Sequence, residues 1–323
     1  MRRRHCALYI AGVAFALWSA VSTRAAAQDY PTRPIRLLTA GSGGGSDITA
    51  RVIADGLAAR LHQPVVVDSR VGGVIIAEIG SKAYPDGYTV IVYSAALWLV
   101  PLMQDKPSYD VFRDFAPVSL IGSSPMVLVV HPAVSAKSVQ ELIALAKAKP
   151  RELNYATGPV GATPHIAGEL FKLLANVDIV QIAYRSVGAG VTDVLAGRVQ
   201  MMFPAAATAM PQVRAGKLRA LGVGSVKPSP LAPGLPPIAE SGLPGFEAIA
   251  TFGMFVPAKT PPAIVRRLNR EVAAAVNSTG LKDKLLGAGI DVIASPPEGL
   301  MKQMKNDVVV LGKVIHTAKI RLD

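Results

Sequence analysis

Residues 40–51 form a loop of small residues that could bind an anion through its backbone. They read AGSGGGSDITAR and include four glycines. Glycine lets a ligand approach the chain closely, and the apolar periodicity that starts at Ile48 places a helix directly after the loop. The first N–H groups of a helix carry partial positive charge, so a phosphate or a carboxylate would be stabilised there. A tight strand-to-helix turn with no ligand is the alternative.

Nucleotide-binding and catalytic motifs are missing from the sequence. Gly41 to Ser46 reads G-x-G-x-x-S and lacks the third glycine of the dinucleotide fingerprint, and no GK[ST] follows a glycine loop. Neither Ser42 nor Ser46 stands in a G-x-S-x-G elbow. The histidines after residue 27 have no metal-site spacing: His62, His131, His165 and His316. We therefore predict no catalytic residue, no metal site and no cofactor, and a carboxylate held by backbone amides.

A second loop of small residues, Thr157 to Thr163, follows a later predicted strand. Thr163-Pro164 is typical of a helix start, with a capping hydroxyl before proline. His165 just beyond it is a candidate ligand residue or, alternatively, a packing or capping histidine. Arg185, beside Tyr184 in a third loop, is a candidate anion-binding residue or, alternatively, a solvated arginine. Asp47 is most simply an acid that complements the helix dipole.

The elements around these loops alternate between strands and helices, which indicates an α/β protein with mostly parallel strands. The loops follow strands in both halves of the chain, where open α/β sheets bind ligands. The predicted strands are Ile35 to Thr39, Val65 to Val67, Tyr88 to Tyr93, Val118 to Ile121, Met126 to Val130, Leu153 to Ala156, Ile179 to Tyr184 and Val199 to Phe203. Gly122 to Pro125 is predicted to interrupt two of them, and residues 228–245 to be mostly loop. Helices are predicted after the first two loops and over Val139 to Lys147, Pro261 to Val276 and Leu300 to Ile315.

The first 27 residues have the pattern of a secretory signal peptide. Arg2, Arg3 and Arg4 precede an apolar run from Ala7 to Val21, and Ala25-Ala26-Ala27 suits a signal peptidase. A run of about 15 residues is shorter than the roughly 20 that a membrane anchor needs. We predict cleavage after Ala27 and a periplasmic location.

Composition narrows the possible partners of the exported chain. Loss of residues 1–27 removes four arginines and no acids, so the formal net charge falls from +12 to +8. The lone cysteine, Cys6, leaves with that segment, which excludes disulfides and thiolate sites. The remaining basic residues are scattered rather than clustered with aromatics, so no nucleic-acid partner is predicted. The charge instead favours small anions.

Several short motifs together resemble the Bug receptors, the extracytoplasmic substrate-binding proteins of tripartite tricarboxylate transporters. They run in order through nearly all of the exported chain: Ile35-Arg36, Gly43 to Asp47, Ala50-Arg51, Gln63 to Val67, Asp86 to Thr89, Tyr184-Arg185 with Gly188, Leu195 to Gly197, Gly242 to Gly245 and Val256-Pro257. The chain departs from the family pattern at Thr39 to Ser42, which lacks a proline and an aromatic, and at Ser69 to Gly73. His62 replaces a helix-ending glycine.

The resemblance implies a two-lobed periplasmic-binding-protein fold of type II, a Venus flytrap that closes on a small carboxylate. Each lobe is expected to be a mostly parallel sheet flanked by helices. Lobe one is predicted to be residues 28–125 and 251–323, and lobe two residues 126–250. The resemblance carries ligand contacts over to these positions: Ser42, Gly43, Gly44, Ser46, Asp47, Ser94, Ala95, Thr157, Gly161, Ala162, His165, Tyr184 and Arg185.

These observations predict an exported solute-binding receptor, not an enzyme. It would deliver a small organic acid to the membrane subunits of a tripartite tricarboxylate transporter, or present the acid to a sensor kinase, and we expect a monomer. One alternative is an exported α/β hydrolytic enzyme whose site is not evident from sequence. Another is a chain that keeps the fold and binds nothing physiological.

Export predicts the N-terminus of the mature protein. Signal peptidase cleavage after Ala27 should leave Gln28 first, because the three alanines supply the small residues that the peptidase reads. Intact mass spectrometry of protein recovered from the cell envelope checks this. Soluble, functional protein that still begins at Met1 would contradict it.

Overall fold

The computed structural model describes residues 30–41, 43–71 and 73–322, so the predicted signal peptide and Ser42 lie outside the described residues. The first half of the chain supplies four strands of one sheet and the helices around them. Its strands are β1 Ile35–Ala40, β2 Val65–Arg70, β3 Thr89–Ser94 and β4 Phe115–Pro125. Its helices are α1 Gly45–Leu61, α2 Gly73–Ser81, α3 Ala96–Leu99 and α4 Val111–Asp114, with a 3₁₀ turn Val100–Met103.

The second half supplies the remaining elements. The strands are β5 Val127–Val130, β6 Asn154–Thr157, β7 Val180–Ala183, β8 Met201–Met202, β9 Arg219–Val223, β10 Ile249–Pro257 and β11 Asp291–Val292. The helices are α5 Val139–Ala148, α6 Thr163–Ala175, α7 Val187–Leu195, α8 Ala206–Arg214, α9 Pro262–Val276, α10 Thr279–Gly287 and α11 Pro297–Thr317. Residues 228–245 hold no helix or strand, as predicted.

The strands form two sheets, one in each lobe, and this confirms the two-lobed α/β fold. A six-stranded sheet has the order β11-β4-β10-β3-β1-β2, and a five-stranded sheet has the order β7-β6-β8-β5-β9. Both sheets are mixed, so the expectation that each would be mostly parallel is wrong. Parallel pairing is confined to β1 with β2 and β3, and to β6 with β7 and β8. A helix follows each of β1, β2, β6 and β7 and provides the crossover that parallel neighbours need. The strands at the lobe crossings, β4, β5, β9 and β10, pair antiparallel.

The chain crosses between the lobes twice, and the two crossings are hydrogen-bonded to each other. Met126 joins β4 to β5, and its N–H donates to the carbonyl oxygen of Ala248 at 3.0 Å. Gly224 N–H donates in turn to the carbonyl oxygen of Met126 at 2.7 Å. The predicted interruption at Gly122 to Pro125 is wrong: these residues continue β4, because they pair with the start of β10 at Ile249.

Burial of apolar side chains holds α1 against the six-stranded sheet. In α1, Ala50, Ile53, Leu57 and Leu61 are buried, at the spacing expected for one helix face. They pack in a cluster that also contains Leu37 of β1 and Val92 of β3. This packing directs the N-terminus of α1 toward the carboxyl ends of β1 and β3. Among the described residues, no helix is long and apolar enough to cross a membrane.

His62 ends α1 in the left-handed conformation, with φ 52° and ψ 32°. A side chain with a Cβ is disfavoured there, and glycine is the residue that usually ends a helix in this way. The sequence prediction that His62 accepts a glycine-like conformation is confirmed. The side chain is exposed, so its replacement removes little packing.

Substitution of glycine at this helix end should stabilise the protein. We expect His62→Gly to raise the free energy of unfolding by about 0.5–1 kcal/mol, as relief of strain exceeds the added entropy of the unfolded chain. Chemical denaturation followed by circular dichroism measures the change. His62→Ala keeps the strain and is the control, with no gain expected. Equal or lower stability of His62→Gly would mean that the imidazole contributes more than the strain costs.

Candidate functional site

A cleft between the two lobes lies next to the predicted loops. Water-sized spheres have about 60 Å³ in which to place their centres there, and the mouth of the cleft is open to solvent. Both lobes and both crossings contribute to its wall. The lining residues are Ala40, Gly41, Gly44, Gly45, Ser46, Tyr93, Ser94, Met126, Pro159, Ala162, Thr163, Pro164, Arg185, Ser186, Val187, Ala205, Ala250 and Phe252.

Four helices begin at this cleft. The lining includes Gly45 at the start of α1, Thr163 at the start of α6, Val187 at the start of α7 and Ala205 directly before α8. Each helix start carries roughly half a positive charge from its aligned peptide dipoles. Because α1 belongs to one lobe and the other three to the second, the positive ends approach the same space from both sides. The cleft is thus built for an anion.

Three of these helices lack the usual cap. The N-cap residues Gly44, Ala162 and Ala205 make no side-chain hydrogen bond to the first turn, whereas Ser186 caps α7 by accepting from the N–H of Ala189. Alanine is a poor N-cap, and the first N–H groups of a helix have no partner within the helix itself. In α8 the N–H of Ala207 donates to Ser124 Oγ at 3.3 Å, so α1 and α6 are the two helices left without a side-chain acceptor. A bound anion would provide acceptors for their first N–H groups.

Asp47 supports the first glycine loop from behind rather than lining the cleft. Its side chain is buried, and its Oδ2 accepts hydrogen bonds from the N–H of Gly43 at 3.3 Å and from Arg51 Nε at 3.1 Å. Its Oδ1 accepts from Ser69 Oγ at 2.7 Å. The hydrogen bond to Asp47 raises the pKa of Arg51 above its usual range. Asp47 therefore holds Gly43 in place, and Gly43 is not a free donor.

The two lobes touch at glycines on either side of the cleft. Gly43 has φ +85°, and a Cβ built on it would lie 3.2 Å from the Cα of Gly188 in the opposite lobe. Thr208 of the second lobe also donates through Oγ1 to the carbonyl oxygen of Gly43 at 3.4 Å. Gly161 of the second lobe, at φ +81°, leaves only 2.7 Å between a built Cβ and Val100. The lobes are closed over the cleft, and side chains at these positions would hold them apart.

The side chains in the lining are donors or apolar groups. Arg185 is the one charged residue among the lining residues, and its guanidinium has no ion pair within the described part of the chain. Tyr93 is almost fully buried, and no group in residues 30–41, 43–71 or 73–322 hydrogen-bonds to its hydroxyl. Burial raises the pKa of Tyr93 well above its usual value, so the phenol stays protonated. Ser46, Ser94 and Thr163 add hydroxyl groups.

The structure places five of the thirteen residues predicted from sequence in the lining of the cleft. Gly44, Ser46, Ser94, Ala162 and Arg185 line the cleft. The others are described behind or beside its wall: Gly43, Asp47, Ala95, Thr157, Gly161, His165 and Tyr184. Ser42 lies outside the described residues. Ala95 lines a second, smaller and mostly apolar cavity, which also reaches Thr163 and Leu311.

Thr157 and Tyr184 hold neighbouring loops of the second lobe. Thr157 is fully buried, and its Oγ1 donates to the carbonyl oxygen of Gly158 at 2.8 Å. The hydroxyl of Tyr184 donates to Asp193 at 2.7 Å, and burial with this hydrogen bond raises the pKa of Tyr184 to about 12. Both side chains therefore shape the loops that precede α6 and α7.

His165 supports the second glycine loop in the way that Asp47 supports the first. It is buried, and its Nδ1 accepts a hydrogen bond from the N–H of Gly161 at 3.1 Å. Burial lowers the pKa of His165, against the opposing field of Glu169. The packing interpretation of this histidine fits its position better than direct ligand contact. The predicted hydroxyl cap at Thr163 is wrong, because Ala162 occupies the N-cap position.

The sequence interpretation missed most of the apolar wall. Met126, Ala250 and Phe252 come from the lobe crossings, and Ala205 and Val187 precede or begin helices of the second lobe. Their types carry no sign of a ligand. The helix starts do carry a sequence signal, because Ala162 and Ala205 stand where a capping residue is usual. Within the described residues, no cluster of three histidine, cysteine, aspartate or glutamate side chains could hold a metal.

The chain matches a known protein family over most of its length. Residues 49–320 match the model of the tripartite tricarboxylate transporter family receptor. The Protein BugT of Bordetella pertussis is 35% identical over 289 residues, which cover 88% of this chain and 89% of BugT.

Two solved structures are similar over nearly their whole length. Rpa4515 of R. palustris, solved with adipate, has a TM-score of 0.88 and 33% identity, and the match covers 91% of this chain and 99% of that one. MatC of Rhodopseudomonas palustris, solved with bound malate, has a TM-score of 0.85 and 27% identity, with 88% of this chain and all of that one covered.

The hydrogen bond from Gly161 to His165 predicts a dependence of stability on pH. Since the folded pKa is lowered, the folded state binds a proton less readily than the unfolded chain does. The stability is fully present above the unfolded pKa of about 6.5 and declines as the pH falls below it. We expect the free energy of unfolding to fall more between pH 7 and pH 5 in the wild type than in His165→Asn, whose Oδ1 can accept from Gly161 without titrating.

Urea denaturation at several pH values provides the comparison. The asparagine variant is expected to be less stable at every pH because it is smaller, so the slope with pH is the relevant quantity. An identical slope in both proteins would show that His165 does not carry the dependence. His316→Asn, at the exposed end of α11, is the control for loss of a histidine and should keep the wild-type slope.

Proposed function

Because this chain belongs to the tripartite tricarboxylate transporter receptor family, we propose that it is an exported receptor that captures a small organic acid between its lobes. In this proposal, lobe one is residues 28–125 and 251–323 and lobe two is residues 126–250. The signal peptide is removed after Ala27, and the mature protein works in the periplasm as a monomer without catalysing a reaction. It delivers the acid to membrane subunits of a tripartite transporter or presents it to a sensor kinase.

The observation that carries the proposal is the meeting of uncapped helix starts at one closed cleft. Gly44 and Ala162 leave first-turn N–H groups of α1 and α6 without a side-chain acceptor, and these two helices belong to different lobes. A carboxylate between them would accept hydrogen bonds from the two lobes at once and so favour the closed form. A receptor that closes only when its ligand is bound can be recognised by a partner in its ligand-bound form.

The bound acids of the similar structures support the same class of ligand. Adipate and malate are named as ligands of two relatives whose chains align along most of their length with this one. In the proposal, Gly44, Ser46, Ser94, Ala162 and Arg185 contact the ligand. Gly43, Asp47, Ala95, Thr157, Gly161, His165 and Tyr184 support those contacts from the next layer of residues, and Ser42 is retained as a contact from the family resemblance.

The direct test is ligand binding to the mature protein. A thermal-shift screen covers mono-, di- and tricarboxylates, with uncharged sugars and alcohols as controls. An acid at about 100 times its dissociation constant should stabilise the fold by roughly 2.7 kcal/mol. The acid should also be recovered chemically unchanged after incubation. Stabilisation by a neutral solute and by no acid would contradict the proposal, and turnover of the acid would favour the enzyme alternative.

Substitution at the first loop tests how the anion is held. Gly44→Val should abolish binding of the acid found in the screen, because a branched side chain obstructs the approach to the start of α1. Gly44→Ala is the matched control: its Cβ would lie 3.5 Å from Val187, an ordinary contact, so the closed form remains possible. Arg185→Ala should weaken binding by on the order of 1–2 kcal/mol. Calorimetry measures all three, and unimpaired binding by folded Gly44→Val would remove the loop from the site.

A further inference from the structure

The cleft lining contains no acidic side chain. Every residue of the described lining is apolar, a glycine, a hydroxyl residue or Arg185. Within the part of the chain that the structure describes, the nearby acids in the same loops and helices are bonded elsewhere. Asp47 accepts from Gly43, Ser69 and Arg51, Glu169 accepts from Tyr155 and Lys172, and Asp193 accepts from Tyr184 and Arg198. Exposed Glu247 lines the second cavity, not the cleft.

An ammonium group in this cleft would therefore meet an unfavourable environment. The helix starts and Arg185 carry positive charge, and the Tyr93 hydroxyl is a neutral donor. The acceptors available to an ammonium are neutral hydroxyl and carbonyl oxygens. Such oxygens offset only part of the cost of removing a charge from water, and like charges nearby add to that cost.

The rest of the lining suits a carbon skeleton without polar groups. Phe252 and Met126 are each 1% exposed, and Ala205 and Ala250 are buried beside them. A Cβ built on Gly45 would lie 2.6 Å from the Phe252 ring, so the ring sits directly against the start of α1. An acid whose carboxylate meets the helix start would place its next carbons against this apolar wall.

We infer that the cleft selects carboxylic acids that carry no amino group and have an apolar carbon body, and that it rejects the corresponding amino acids. This inference rests on the proposed function and narrows its ligand class. The discriminating feature is the charge of the lining, because the donors for the carboxylate serve an acid and its amino derivative equally.

Matched pairs of ligands test the inference with the wild-type mature protein. The pairs are succinate with aspartate, glutarate with glutamate, adipate with 2-aminoadipate, and hexanoate with 2-aminohexanoate. Each pair differs by one ammonium group, so calorimetry gives its cost as a ratio of dissociation constants. For the pair that contains the best-bound acid, we expect the acid to bind at least about 100-fold more tightly than its amino derivative, as a buried charge without a counter-ion requires. A ratio of less than 10 would overturn the inference.

A charge introduced into the lining should reduce this selectivity. Ser94 is suited to the change because its Oγ accepts from the N–H of Ala96 at 3.5 Å, and aspartate or asparagine can accept the same bond. Ser94→Asp should lower the ratio at least about tenfold, since a carboxylate repels the acid and pairs with the ammonium. Ser94→Asn has nearly the same shape without the charge and should keep the wild-type ratio. An equal change in both variants would mean that shape, not charge, sets the selectivity.

The outcomes separate this inference from the proposed function. Tight binding of amino acids, with ratios near one or below, would leave a carboxylate receptor in place and overturn the selectivity alone. Failure of every acid and every amino acid to bind would overturn the proposed function and this inference with it. If citrate binds at least as tightly as the aliphatic acids, the inferred preference for an apolar carbon body is wrong, while the inferred rejection of an ammonium group is unaffected.

Discussion

The structure depends on backbone N–H groups that the helices cannot satisfy by themselves. Every α-helix leaves its first N–H groups without an internal partner, and a buried unpaired N–H costs free energy. In this protein α1 and α6 begin at the cleft without a capping side chain. Water satisfies these groups only while the cleft is open to solvent. An anion that replaces water as the acceptor therefore stabilises the closed arrangement.

The fold explains why the helix starts meet. In each lobe, helices that follow parallel strands begin at the carboxyl ends of those strands, so β1 leads to α1 and β6 leads to α6. The lobe crossings between β4 and β5 and before β10 turn these two edges toward each other. Met126, which joins β4 to β5, is at once part of the hydrogen-bonded connection and part of the cleft wall. A shift at the connection would therefore change the cleft directly.

The features that could be predicted from the sequence are those that depend on a single segment of the chain. The glycine loop, its helix and the strand before it were predictable, because small residues and apolar periodicity are properties of a single segment. The helix end at His62 was predictable from the family resemblance, in which a glycine usually stands at that position. The roles of Asp47 and His165 were not, because each depends on which backbone N–H its side chain reaches once the loop has folded. The apolar wall was hidden as well: Phe252 and Ala250 have the pattern of an ordinary buried strand.

The two supporting side chains, Asp47 and His165, show how the cleft can be rigid and yet carry few charges. Each is buried, each accepts a hydrogen bond from a glycine N–H four residues before it, and each stands in the first turn of a helix that begins at the cleft. Both glycines have positive φ and contact the opposite lobe.

The hydrogen bond from each glycine thus fixes the loop shape that lets the lobes approach. It also occupies the accepting atom of Asp47 or His165, so that this atom does not face the ligand. Since Asp47 is paired with Arg51 and the pKa of His165 is lowered, neither group adds charge to the space where the anion would bind. The electrostatic field in the cleft therefore comes from the helix starts and from Arg185. A site of that kind separates ligands by the sign of their charge before it separates them by shape.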